Sequence, residues 1–276
     1  MSIYLPKVFQ YPLLMLSGLL VNGFSLAPES AQSHVNIEFK NGDQIAKTLS
    51  LSELNVLAPA LSLKVFEIHE RAERSYRAFP ARPVFDKVFG KEWEKAQEIV
   101  FTSIDGYQPS TPVAKFLSHD AYFAFAHEDG TPFTLTNTLQ NNETAQLGPL
   151  YLIWDNINST ALLEAGASDM PWQVIRVELK FVAPFSDMSP PGHASAEAQR
   201  RFMHFRKYCM ACHAVNGEGG AKAPELNYPT SVVAKEIPNR GKVAEELIAY
   251  LKAMSLSKRA PEKLRENIST PPKSHR

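Results

Sequence analysis

Six short apolar runs constrain this fold more than any other feature. VNIEF (35–39), LKVFEIH (63–69), EIVFTSI (98–104), AYFAFAH (121–127), LYLIW (150–154) and WQVIRVELKFV (172–182) have strand length and are rich in β-branched and aromatic residues. In the last run Ile175, Val177, Leu179 and Phe181 alternate, which predicts one shared face of a sheet. Two stretches between them read as helices, LSLSELNVLA (49–58), with Ser50 or Ser52 available as a cap, and PVFDKVFGKEWEKAQ (83–97). Strands interspersed with short helices predict an α+β mixed-sheet N-terminal domain over residues 35–185.

The formal net charge of the 276 residues is zero, but it is unevenly spread. Up to Gly192 there are 14 Lys/Arg against 21 Asp/Glu, and from His193 onward 15 against 8. An acidic part is therefore joined to a basic part, through SPPGHASAEAQ (189–199), which reads as a linker running into a helix start. At the N-terminus Lys7 precedes an apolar stretch from Leu13 to Val21, followed by small residues. That pattern predicts a signal peptide over residues 1–27, since the apolar stretch is shorter than the ~20 residues a bilayer span needs. The expectation is an exported, periplasmic protein with no stable membrane span after cleavage. Residues 258–276 are polar, basic and Pro-containing, and read as a mobile tail.

Both cysteines of the chain lie in CMACH (209–213). A disulfide across so short a loop is very tight. A thioredoxin-type redox pair calls for a preceding strand and has no need of the histidine. A zinc site calls for a fourth ligand, usually from a second C-x-x-C, which the chain lacks. C-x-x-C-H is the attachment pattern of a c-type haem. The spacing lets Cys209 and Cys212 add across the two vinyl groups of one porphyrin, and brings His213 beneath the iron as proximal ligand.

SAEAQRRFMHFRKY (195–208) before the motif is a helix pattern, with Phe202 and Phe205 on one face. AVNGEGGAKAPELNYP (214–229) is a Gly/Pro loop able to wrap a flat cofactor, and VAEELIAYLKAM (243–254) is a second amphipathic helix. Over residues 195–257 the chain resembles the class I cytochrome c fold. Phe205 and the pair Tyr250–Leu251 match the family's crossing of first and last helices. The resemblance implies an all-α cytochrome c domain. Arg201 stands where that family usually has glycine, and no methionine or histidine occurs between His213 and Met254 to supply a sixth ligand. Met254 and Met203 lie in helices and read as packing residues. Lys222, Lys235 and Lys242 are conceivable nitrogen ligands. A vacant, water-bound or weakly held sixth position is expected.

Residues 35–185 resemble the molybdopterin-binding domain of the sulfite oxidase type. LSLSELNVL, YRAFPARPVFDKVFG (76–90), the Asp105–Gly106–Tyr107 segment within VFTSIDGYQPSTPVAKFLSHDAYFAFAHEDG, and GPLYLIW carry the likeness. The active enzymes bind molybdenum through a cysteine thiolate, and residues 1–208 contain no cysteine. Arg71, Arg74, Arg77 and Arg82 read as a solvated face, and His69, His119 and His127 as hydrogen-bonded histidines beside strands. The resemblance therefore implies a cofactor-free scaffold or docking module.

Together these readings predict a periplasmic mono-haem c-type cytochrome that transfers single electrons. The expected partner is a redox protein with an acidic docking surface, since no nucleic-acid module accompanies the basic tail. A molybdenum oxidoreductase with an attached haem and a haem-based ligand sensor are the alternatives.

Overall fold

The computed structural model describes residues 35–181, 185–226, 250, 251 and 254. The expected signal peptide, the TSVVAKEIPNRGK loop (230–242) with Lys235 and Lys242, and the basic tail lie outside these residues.

All six apolar runs form strands, within two sheets. The first sheet contains β1 (Ile37–Asn41), β2 (Gln44–Leu49), β5 (Glu98–Ser103), β6 (Ser110–Pro112) and β11 (Val174–Lys180). Its order is β2-β1-β11-β5-β6, with β1 and β11 parallel and the other neighbours antiparallel. The second sheet contains β3 (Leu61–Glu67), β4 (Ala72–Pro80), β7 (Ala121–His127) and β10 (Tyr151–Trp154) in the order β10-β7-β4-β3, antiparallel throughout. A separate hairpin pairs β8 (Thr134–Asn137) with β9 (Glu143–Gln146). One core joins both sheets: Phe39, Ile99, Phe101, Val177 and Leu179 of the first cluster with Val65, Tyr76, Phe123, Tyr151 and Ile153 of the second.

The predicted alternation on β11 holds only in part. Val177 and Leu179 are buried, but Val174 takes the inward place instead of Ile175. The register shows why: Val174 faces Ser103 and Arg176 faces Thr102, so Ile175 is the extra residue of a bulge that reverses the side-chain order. β4 is a strand that apolar periodicity does not announce. Arg77 is exposed between buried Tyr76 and Ala78, and Arg74, two residues before Tyr76, is exposed as well. They go to separate partners, Arg74 to Glu70 and Arg77 over the Phe125 ring.

α1 (Leu51–Leu57) starts at Ser50, whose hydroxyl accepts from the Glu53 N–H while Glu53 accepts from the Ser50 N–H at 2.8 Å. This reciprocal capping box selects Ser50 over Ser52. α2 (Ala81–Phe89) stops earlier than its apolar pattern, because Gly90 takes a positive φ of 69°. The chain continues as a 3-10 turn, Lys91–Lys95, from which the Trp93 indole donates back to Asp86 at 2.8 Å. α3 (Val113–Ser118) and α4 (Thr160–Ala165) are short connections, and α5 (Ala196–Tyr208) is the longest helix among the described residues.

The expected C-terminal architecture requires correction. The described residues are mixed α/β and mostly strand, and no all-α C-terminal cytochrome c domain is seen among them. After residue 185 the longest described helix, α5, packs onto β5 of the first sheet. β5 is buried on both faces: Ile99 and Phe101 enter the main core, while Val100 joins Phe185, Met188, Phe202, Phe205 and Tyr250 in a second core. Of the expected second helix (243–254) only Tyr250, Leu251 and Met254 are described, in helical conformation, and directly after the motif the chain turns back on itself. It reverses at Asn216 and Gly217, both with positive φ, and pairs β12 (Ala214–Val215) with β13 (Glu218–Gly219). Among the described residues no helix is long and apolar enough to cross a membrane.

The α5–β5 contact is also ionic. The Arg206 guanidinium bonds the mostly buried Glu98 carboxylate and lies over the Phe185 ring, 4.9 Å from its centroid. Removing one partner of such a pair leaves the other charge unpaired. Arg206→Ala should therefore destabilise the chain by about 3 kcal/mol. Adding Glu98→Gln should recover part of that loss, so chemical denaturation of the double variant should fall short of the sum of the singles. Strict additivity would show that the pair does not couple.

Candidate functional site

α5 is built to end at the motif. The Ser195 hydroxyl accepts from the Ala198 N–H at 3.2 Å, Phe202 and Phe205 hold the buried face, and Arg206 and Lys207 suit the C-terminal end of the helix dipole. The N–H groups of Cys209 and Met210 both donate to the Phe205 carbonyl, at 2.9 and 3.0 Å. One turn later, Cys212 and His213 both donate to the Cys209 carbonyl, at 3.1 and 2.9 Å. The motif is thus a compact turn carrying both thiols and the imidazole.

The two cysteines are free thiols. Cys209 packs against the second core, and burial, then the neighbouring Cys212, pushes its thiol up from the ordinary value. A reactive redox pair of the thioredoxin kind relies on the opposite shift. His213 Nδ1 lies 2.7 Å from the Pro224 carbonyl, which can only accept, so Nδ1 carries the hydrogen. Nε2 is left with its lone pair and has no hydrogen-bond partner among the described residues. A ligating histidine held at its other nitrogen by a carbonyl has this arrangement.

Asp105, Gly106 and Tyr107 gain a role that their sequence does not announce, since they dock the motif. The Gln108 N–H donates to the Ala211 carbonyl at 2.7 Å, and Ala221 N–H to the Gly106 carbonyl at 2.9 Å. Lys222 pairs with Asp105 at 2.7 Å. Burial opposes charge on Asp105, but the Lys222 and Tyr107 hydrogen bonds outweigh it and hold the carboxyl below its usual range. Gly106 has φ +82°, and a Cβ there would lie 3.0 Å from the Ala221 carbonyl carbon. Burial first, then the charges of Cys212, Asp169 and Asp105, pushes the Tyr107 phenol up to about 12.

A cavity of about 420 Å³ opens here, lined among others by Cys212, Lys222, Tyr107, Ser103, Trp172 and His69. Its volume is in the range of small-molecule and cofactor sites, roughly 300–1,000 Å³. His69 is 5% exposed, and its Nδ1 lies 2.9 Å from the fully buried Glu67 carboxylate. Glu67 also accepts from the Tyr76 hydroxyl at 2.9 Å and the Tyr151 hydroxyl at 3.0 Å. Burial works against the charge of Glu67, but hydrogen bonds from His69 and Tyr76 hold its pKa below the usual value. Burial, then Glu67, pushes both phenols up.

The structure brings Cys209, Cys212 and His213 together and adds His69 to the Cys212 cavity. It separates the other candidates. His127 Nε2 lies 2.9 Å from the Thr134 carbonyl, with its ring stacked on Tyr76. His119 stands by α3 and α4, beside a different hollow. Arg82 bonds the Phe116 carbonyl at 2.6 Å, and Arg71 is exposed. Met254 is fully buried in the second core and Met203 is 59% exposed. In the sequence His69 reads as a lone histidine beside a strand, and Glu67 carries no expectation. The missed signal is positional: in a strand, Glu67 shares the inward face of Val65, where a carboxylate needs partners.

No protein-family model and no curated protein matches the chain. With no all-α C-terminal domain among the described residues, the expected membership of the class I cytochrome c and sulfite oxidase-type families is withdrawn.

Gly219 and Gly220 let the returning chain pass against the motif. A Cβ on Gly219 would overlap the His213 carbonyl, and one on Gly220 the Ala211 carbonyl. The Gly220 N–H also donates to the Met210 carbonyl at 2.8 Å. Because the obstacle is backbone, Gly220→Ala should cost about 1–3 kcal/mol, measured as a lower denaturation midpoint. An unchanged midpoint would mean that the two segments are not in contact.

Proposed function

We propose that this chain is an exported, one-haem redox protein of c type that passes single electrons. Cys209 and Cys212 hold the porphyrin through thioether bonds and His213 ligates the iron through Nε2. The observation that carries this reading is the 2.7 Å contact of His213 Nδ1 with the Pro224 carbonyl, directly after two free thiols on one turn. It sets the tautomer and leaves Nε2 as the donor. The residues fit the group: the two thiols lie one turn apart on the same turn that carries His213.

The haem, when bound, supplies one-electron chemistry. The protein's own residues hold and shelter it. α5 anchors the turn on β5, Asp105–Gln108 braces its outer side, and the Gly219–Gly220 backbone closes over it. Residues 35–185 act as scaffold or docking module. The excess of Lys/Arg from His193 onward, 15 against 8 acidic residues, suits a redox partner with an acidic surface.

Thioether attachment survives denaturation, so haem should migrate with the polypeptide on a denaturing gel and remain after acid–acetone extraction. Changing Cys209 and Cys212 together to alanine should abolish that bound haem. Complete loss of haem from the native chain on extraction would overturn the proposal.

A further inference from the structure

We propose that the cavity of about 420 Å³ is a binding site for a small neutral ring compound of the phenol or hydroquinone class, whose hydroxyl donates to His69 Nε2. The inference goes beyond the haem reading and does not rest on it. Of the motif only Cys212 reaches the cavity wall, and neither Cys209 nor His213 is among the described lining residues. His69 supplies the polar end of the site. It is 5% exposed, and its Nδ1 lies 2.9 Å from the Glu67 carboxylate. Burial opposes the charge of Glu67, but the hydrogen bonds from His69 and Tyr76 hold its pKa below the usual value. The carboxylate therefore accepts, and Nδ1 carries the hydrogen. Nε2 has no hydrogen-bond partner among the described residues, yet it is not sealed inside the protein. Its lone pair opens onto the cavity that His69 lines, where only a ligand or solvent donor can meet it.

The acceptor is held in place before any ligand arrives. The Thr138 N–H and hydroxyl both donate to the His69 carbonyl, at 2.9 and 2.6 Å, and the His69 ring packs edge-on against Trp172 with centroids 5.0 Å apart. Trp172 is fixed in turn, because the Ser103 hydroxyl donates to its carbonyl at 2.6 Å. The rest of the lining suits a flat ring. Trp172 and Tyr107 supply aromatic surface, and Leu139 and Met170 supply aliphatic surface. Met170 is 2% exposed, and its thioether is a weak acceptor that packs well against rings, so it serves as wall rather than as polar contact. The charges argue for a neutral ligand. Lys222 is already paired with Asp105 at 2.7 Å, and Glu67 places a second carboxylate behind His69, so an anion finds no spare cation among the described lining residues.

The test is calorimetric titration of the full-length purified protein with four probes: phenol, hydroquinone, anisole and benzoate. Phenol and hydroquinone should bind with a Kd of about 1 mM or below. Anisole keeps the ring but has no hydroxyl to donate, and should bind about tenfold more weakly, the scale of one hydrogen bond to a buried acceptor. Benzoate should bind more weakly than phenol. His69→Phe removes the acceptor and should bring phenol down to the level of anisole. Ala167→Phe adds bulk at a half-buried wall position and should abolish phenol binding, and it decides the matter if His69→Phe does not fold. No phenol binding, equal binding of phenol and anisole, benzoate binding as tight as phenol, or native-strength phenol binding in an Ala167→Phe variant with native circular dichroism overturns the assignment. Covalent haem, scored separately on a denaturing gel, bears on the haem reading alone.

Discussion

The burial of β5 on both faces is the constraint from which the rest of the site follows. Period-two alternation sends Ile99 and Phe101 into the main core and leaves Glu98 and Val100 on the opposite face. That face would expose an apolar residue and a carboxylate unless an element covered it. α5 does so with Phe202 and Phe205, and brings Arg206 to Glu98. Because α5 is fixed along its length, the turn after it is fixed too, and the positions of Cys209, Cys212 and His213 follow from a helix end rather than from a free loop.

The second support is the Asp105–Gln108 loop, which leaves the end of β5. The strand that carries α5 therefore also supplies the backbone groups that meet the motif, Gly106 O with Ala221 and Gln108 N with Ala211. Gly106 can do this only because it has no side chain. The Ser103 end of β5 and the turn after β3 border the same cavity. One sheet strand thus places the motif and one wall of the cavity together, while the Glu67 cluster of the second sheet sets the His69 wall.

How far this was legible in the sequence depended on whether the signal was local. Strands buried on one or both faces were readable from apolar runs, and α5 from Ser195 and its Phe202/Phe205 spacing. β4 was not, because its exposed arginines dilute the apolar pattern, and neither was the bulge that turns Ile175 away from the core. Family-level likeness misled on the C-terminal segment, since a helix followed by C-x-x-C-H says nothing about the long-range packing of that helix. The docking of Asp105–Gln108 against the motif, and the cavity shared by His69 and Cys212, join residues about a hundred or more apart. No periodicity reports such contacts; the carboxylate of Glu67 at an inward strand position was the one local trace.

X-ray absorption at the iron edge of the purified full-length protein tests the central claim most directly. One iron per chain is expected, with the first-shell nitrogens of a porphyrin and the outer-shell scattering of an imidazole from His213 that is lost in His213→Ala. The absence of iron from the chain, or imidazole scattering unchanged by that substitution, would contradict the account.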